Sequence, residues 1–264
     1  MNFEYLSKTK LSQVRSLTSR KNREKLGLTI VEGEKNVVDT LQIESVIKFI
    51  IFNEDAETQL RPIFELAQSL KIPCFKLNNR DFKSISDTST PQNALAIARF
   101  PKFLTLDELR EKKIDRLLIL DNLQDPGNVG ALLRTAAAFE VDAIVATKGS
   151  AELTNPKVVR ASAGTLWRLN LCANIEPEKL LAFLTESDFK ILLADPSGES
   201  YFKREYPKRW ALVLGNEGRG LSQVFTRGNF SSSARIAVKH SNSVDSLNVA
   251  IAGAIILAHL YNRT

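Results

Sequence analysis

Short apolar runs separated by helically spaced segments recur along the whole chain and fall into two series. In the first, Thr29-Ile30-Val31 reads as a strand, Lys35–Leu41 as a helix, and Val46–Phe52 as a strand rich in Val, Ile and Phe. Glu57–Leu70 carries apolar residues at helical spacing, and Ile72–Leu77 and Ala94–Phe100 predict further strands. This alternation predicts a small α/β layer domain over residues 1–104. A charged stretch, Thr105–Lys113, reads as a linker, and residues 114–264 form the second series.

In that second series Arg116–Leu120 predicts a strand, followed by a turn at Asp125-Pro126-Gly127-Asn128 and a helix through Phe139. Ala143–Ala146 and Phe189–Ala194 predict strands, with a helix at Pro177–Thr185 between them. Ala211–Leu214 is a strand running into a glycine loop, Ile236-Ala237-Val238 is another strand, and Leu247–Leu260 is the closing helix. Short, wholly apolar strands between helices predict a parallel sheet covered on both faces.

Composition narrows the class. With 44% hydrophobic and 25% charged residues, the chain reads as globular, and its longest apolar run, Val249–Leu260, is too short to span a bilayer. The N-terminus lacks the order of a signal peptide, so a cytoplasmic location is expected. Cys74 and Cys172 are isolated and only His240 and His259 are present, which predicts neither a metal site nor a disulfide framework. The formal net charge is +6, concentrated at the start, where Lys8, Lys10, Arg15, Arg20, Lys21, Arg23 and Lys25 face only Glu4 and Glu24. A basic arm suits a polyanion such as RNA, while an amphipathic helix burying Leu11, Val14 and Leu17 explains the same residues.

Three stretches in the second half carry candidate chemistry. In Leu120–Thr135, Asp125 and Asn128 are ordinary turn and cap residues, whereas Arg134 sits among Val129, Ala131, Leu132 and Leu133. An arginine in so apolar a helix is expected to need a carboxylate or phosphate partner. In Leu214–Leu221, three glycines follow an apolar strand at the carboxyl edge, where α/β sheets bind ligands; a plain strand-to-helix turn is the alternative. Neither the P-loop ending nor the dinucleotide fingerprint is present. In Ser243–Ala250, Asp245 or Ser246 is a candidate helix cap, and Asn248 is a polar group in need of a partner. The helix that follows suits a core or a subunit contact.

Together these stretches resemble the three motifs of the SpoU (TrmH-type) RNA 2′-O-ribose methyltransferases of the SPOUT superfamily. The matching residues are Asn128 and Arg134, then Gly215-Asn216-Glu217-Gly218, then Ser246-Leu247-Asn248. Lys157–Gly164 fits between the first two, and Val31-Glu32-Gly33-Glu34-Lys35 and Asp87–Gln92 resemble the family's N-terminal RNA-binding module. The resemblance implies an N-terminal α/β RNA-binding domain plus a C-terminal α/β domain with a trefoil knot, S-adenosylmethionine as cofactor, and a homodimer. It further implies cofactor contacts from Gly215, Asn216, Val238 and Leu247, and catalytic roles for Arg134, Asn128, Glu217, Ser246 and Asn248. One departure is that Val238-Lys239-His240 stands where many relatives carry Ile-Pro-Met.

A guanidinium holds its proton to about pH 12, so a phosphate clamp suits Arg134 better than the role of base. On that reading Asn128 holds the 2′-hydroxyl, and Glu217 either holds Arg134 or accepts the proton. The RNA is expected to be ribosomal, with transfer RNA as the alternative. A non-catalytic RNA-binding factor and a nucleotide-dependent oxidoreductase are the rival classes; the first needs an eroded motif and the second a fingerprint after Leu120.

Overall fold

The computed structural model describes residues 4–56, 58–86, 88, 91–203, 205–227, 233–241, 243 and 246–262. In chain order the elements are β1 (Glu4–Tyr5), α1 (Lys8–Ser16), α2 (Arg20–Leu26), β2 (Leu28–Glu32), α3 (Glu34–Leu41), β3 (Ile47–Asn53), α4 (Arg61–Ser69), β4 (Cys74–Leu77), α5 (Asn79–Lys83) and β5 (Ala94–Arg99). There follow α6 (Leu106–Arg110), β6 (Arg116–Asp121), α7 (Pro126–Ala138), β7 (Ala143–Thr147), α8 (Pro156–Ala161), β8 (Asn170–Ile175) and α9 (Pro177–Glu186). The last are β9 (Lys190–Ser200), β10 (Trp210–Gly215), α10 (Gln223–Thr226), β11 (Ser233–Ala237) and α11 (Val249–Tyr261). They form two compact units, one of Met1–Pro101 with Thr154–Trp167, the other of Lys102–Leu153 with Arg168–Thr264.

The first unit is a five-stranded mixed sheet in the order β1-β4-β3-β5-β2, in which β5 runs antiparallel to β2 and β3. The basic stretch at residues 8–25 is not a free arm. It folds into α1 and α2, and Leu11, Val14 and Leu17 pack into a core with Leu28, Ile30, Ile51 and Phe82. Arg23 is buried and donates to the carbonyls of Leu17 and Thr18, so it braces the turn between the helices instead of facing solvent. The Glu57–Leu70 helix begins only at Arg61, with Pro62 in its first turn, where a missing N–H costs nothing.

Three segments that the sequence singles out converge in this unit. Glu32, buried at the end of β2, accepts from Ser86, from Thr88 at 2.7 Å and from Arg160 of α8 at 3.1 Å. Gln92 accepts from the Glu34 backbone N–H at 3.1 Å. Asp87, Ser89 and Thr90 of the third segment lie outside the described residues.

The second unit holds a six-stranded sheet, β11-β9-β10-β6-β7-β8, in which every pairing is parallel. Alternate residues of the central strands serve opposite faces. Leu117 and Ile119 of β6 join Leu109, Leu180, Phe183, Leu184 and Phe225 in one core. On α7, Val129, Leu132 and Leu133 are buried, and α11 lies against that helix, with the methyl ends of Leu132 and Leu214 packed close over Gly253. The charged stretch read as a linker contains α6, which Thr105 and Glu108 start with a reciprocal capping box. Among the described residues no helix is long and apolar enough to cross a membrane.

Candidate active site

The middle of β9, the carboxyl ends of β10 and β11 and the first turns of α11 enclose a cavity of about 300 Å³. Its apolar lining comes from Leu214, Ile236, Val238, Leu247, Val249 and Ile256, and its polar lining from Asp195, Asn216, Glu217, His240, Ser246 and Asn248. Parallel strands deliver loops to one edge of the sheet, which is why residues far apart in sequence meet there.

The glycine loop after β10 is shaped by its own closure. A side chain on Gly215 would lie 2.5 Å from the backbone carbon of Gly220, and Gly220 holds a left-handed φ of +69°. Asn216 and Gly220 exchange backbone hydrogen bonds of 3.0 and 2.9 Å across the loop. The glycines read as room for a ligand therefore serve first to let the loop fold on itself. Asn216 braces the result: its Oδ1 accepts from the N–H groups of Gly218 and Arg219, and its Nδ2 donates to the Asn122 carbonyl at 2.8 Å.

The helix α11 starts at Val249, two residues later than the predicted start at Leu247. Asn248 itself is the N-cap, accepting from the backbone N–H groups of Ala250 and Ile251, so Ser246 lies ahead of the cap and Asp245 falls outside the described residues. With its oxygen committed, Asn248 turns its Nδ2 to Asn128 Oδ1 at 3.0 Å. Asn128 Nδ2 in turn donates to Glu217 Oε1 at 3.0 Å. One residue from each motif thus joins a single chain of hydrogen bonds that ends on a carboxylate beside the cavity.

Arg134 departs from expectation. The buried face of α7 is made by Val129, Leu132, Leu133 and Ala136, whereas Arg134 is exposed and makes no ion pair among the described residues. Glu217, a proposed holder of Arg134, is bonded to Asn128 instead. Of the other expected residues, Gly215, Asn216, Val238, Leu247, Glu217, Ser246 and Asn248 line the cavity, and Asn128 adjoins it through Asn248 and Glu217. In the departure segment, Val238 and His240 line the cavity while Lys239 reaches the Pro196 carbonyl at 3.4 Å.

The sequence reading missed Ala194, Asp195 and Pro196, which line the cavity from β9. Burial alone would raise the Asp195 carboxyl. Hydrogen bonds from Ser197 and the Arg235 guanidinium outweigh it and hold the group below its ordinary value. The clue in the sequence was Asp195 directly after the apolar run that ends at Ala194, as Asp121 directly follows the run that ends at Leu120.

Residues 115–258 match the SpoU rRNA methylase family, and residues 8–96 match the MRM3-like substrate binding domain. The chain is 28% identical over 251 residues, 95% of each chain, to the 23S rRNA (guanosine(2553)-2′-O)-methyltransferase RlmP of Bacillus subtilis (strain 168). A protein of Porphyromonas gingivalis described as an RNA methyltransferase of the TrmH family is similar at 30% identity and a TM-score of 0.79, covering 98% of this chain and 99% of that one. The methyltransferase AviRb of Streptomyces viridochromogenes, solved with AdoMet, shares the fold at a TM-score of 0.82 and 20% identity, covering 97% and 98%.

Proposed function

Because the chain belongs to the SpoU rRNA methylase family, we propose that it is an S-adenosylmethionine-dependent methyltransferase acting on a ribose 2′-hydroxyl of ribosomal RNA. The observation that carries this reading is the Asn248–Asn128–Glu217 chain at the edge of an otherwise largely apolar cavity. Such a cavity suits a cofactor with a flat apolar base and a charged reacting end. When bound, S-adenosylmethionine supplies a methyl group on a sulfonium, ready for in-line displacement.

Leu247 and Val238 offer apolar walls, and Gly215 and Asn216 form the glycine-loop edge of the cavity; the Asn216 side chain and backbone N–H are both committed to that loop, so Asn216 shapes the edge on which the cofactor rests. The protein's remaining task is to place the ribose oxygen and take its proton. Placement of this kind reaches effective concentrations of about 10⁵ M or more. Glu217 spends Oε1 on Asn128 and keeps Oε2 for the proton. Asn128 has both ends of its carboxamide engaged, so it orients Glu217 and leaves the 2′-hydroxyl to others. Ser246, exposed at the rim, offers a hydroxyl to the target nucleotide, and the exposed guanidinium of Arg134 suits a phosphate beside it.

Ribosomal RNA is favoured over transfer RNA by the relative RlmP, which aligns along both chains, and by the substrate-binding module at residues 8–96. A homodimer is favoured by α11, an apolar helix on which Ile251 is 55% exposed.

The test is incubation with methyl-labelled S-adenosylmethionine and unmodified total RNA, followed by digestion to nucleosides. Label on a ribose 2′-oxygen of rRNA is expected; label on tRNA alone would reassign the substrate. Arg134→Ala is expected to lower kcat/KM by ~10²-fold or more while cofactor affinity stays unchanged. Equal loss of both would move Arg134 into the cofactor pocket.

A further inference from the structure

Among the described residues two carboxylates are buried, Glu32 in the first unit and Asp121 in the second. Glu32 has the Arg160 guanidinium at 3.1 Å. Among the described residues Asp121 has no cation partner, and none of the roles above uses it. A buried charge without a counter-charge is expensive, so its surroundings bear on what it does.

Asp121 closes β6, fully shielded from solvent, and stands opposite Gly215 in the parallel register with β10. One of its oxygens accepts the backbone N–H of Ser222 at 2.6 Å, and the other meets the Thr147 hydroxyl at 3.4 Å. Burial pushes this carboxyl above its ordinary value, opposed by the bonds from Ser222 and Thr147. Ser222 is the residue at which the glycine loop ends and α10 begins. The next residue, Asn122, holds the other end of that loop, its carbonyl accepting Asn216 Nδ2 at 2.8 Å. Between these two anchors lie Glu217 and Gly220, which line the cavity.

We infer that Asp121 is a positioning residue for the cofactor: its carboxylate fixes the Ser222 end of the loop, and with it the edge on which S-adenosylmethionine rests. This rests on the methyltransferase reading above. Loss of the anchor leaves fewer molecules with the loop in place, and apparent affinity falls in proportion to that fraction.

The experiment is calorimetric titration of the full chain with S-adenosylmethionine, alongside hydrogen exchange at the Ser222 amide and single-turnover kinetics. Asp121→Ala is expected to raise Kd by ~10-fold or more and to speed exchange at Ser222. At saturating cofactor its rate is expected to stay within about 3-fold, the KM-type split that marks lost binding in place of lost chemistry. Asp121→Asn keeps an acceptor for Ser222 and is expected to restore affinity. If Asp121→Ala does not fold, Ser222→Pro removes the donor instead; Ser222 already has φ −63°, and the same rise in Kd is expected. A folded Asp121→Ala or Ser222→Pro variant with unchanged Kd overturns the inference, as does an Asn variant no better than Ala. A wild-type chain that binds no S-adenosylmethionine defeats the methyltransferase reading alone. Exchange at Ser222 then decides the anchor, supported if it quickens in Asp121→Ala and overturned if it does not.

Discussion

The orientation of three side chains follows from one oxygen. Asn248 Oδ1 accepts two backbone N–H groups at the start of α11, so its carboxamide cannot flip without leaving both unpaired. Its Nδ2 must then face Asn128, whose Oδ1 turns to meet it, and the Asn128 Nδ2 is left for Glu217. A helix cap thereby sets the aim of a carboxylate. Substitution separates the two roles of Asn248. An Asp cap is as good as an Asn cap, so Asn248→Asp is expected to keep thermal stability close to that of the parent. It replaces a donor by an acceptor facing Asn128, and the chain of bonds reverses against Glu217; activity is expected to fall by ~10-fold or more. Asn248→Ala loses cap and chain together, with about 1 kcal/mol of stability gone, roughly 2–4 °C in Tm. Equal activity of Asn248→Asp and the parent would remove the chain from the mechanism. The sequence marked Asn248 as a polar group in need of a partner, but its role as cap depended on where the helix starts. An apolar run does not define that point, because Leu247 ahead of the helix is as apolar as Val249 within it.

At the scale of elements, the strands legible in the sequence are those buried on both faces. β6, β7 and β10 have unbroken apolar interiors because helices cover each side of the sheet, and burial leaves no polar alternation to interpret. The edge strand β8 escaped notice, since Asn170 and Asn174 interrupt its pattern. The far half of β9 escaped for a different reason. It continues past Ala194 through Pro196 and Gly198, residues that ordinarily end a strand, to pair Glu199 and Ser200 with Ile236 and Ala237 of β11. Close approach explains the glycine: a side chain at Gly198 would lie 2.7 Å from the backbone of Arg235 and Ile236. That pairing also forms the walls of the cavity at residues 194–196 and 236–238. Gly198→Ala is therefore expected to cost ~1–3 kcal/mol and to weaken S-adenosylmethionine binding together with stability. Gly218→Ala meets only an ordinary 3.7 Å contact and is the control whose Tm should barely move. Matching losses in the two, read by thermal unfolding and calorimetry, would mean that the strand pairing does not shape the cavity.

For the whole molecule, charge and apolar surface indicate different partners. The basic stretch presents Lys8, Lys10, Lys21 and Lys25 to solvent from two packed helices, which fits the RNA reading without a disordered arm. The apolar surface belongs to α11. Its inner side, Gly253, Ile256, Leu257 and Leu260, is buried within the second unit, while Ile251, at 55% exposed, and Tyr261, at 38%, remain open to water. Ala254, Ile255 and Ala258 lie between them at helical spacing, only partly covered. An apolar stripe of that length on an otherwise well-buried helix suits burial against a second copy of the same stripe, because a two-fold axis makes one face its own complement. Sedimentation of the full chain is expected to report a dimer, and Ile251→Glu to shift it toward monomer by placing a charge on the axis-facing side. Ile251 lies three residues beyond the cap and outside the cavity lining, so the monomeric variant should keep its fold. A parent chain that sediments as a monomer at micromolar concentration, or an Ile251→Glu variant that remains dimeric, would place the subunit contact elsewhere and leave this face to another partner.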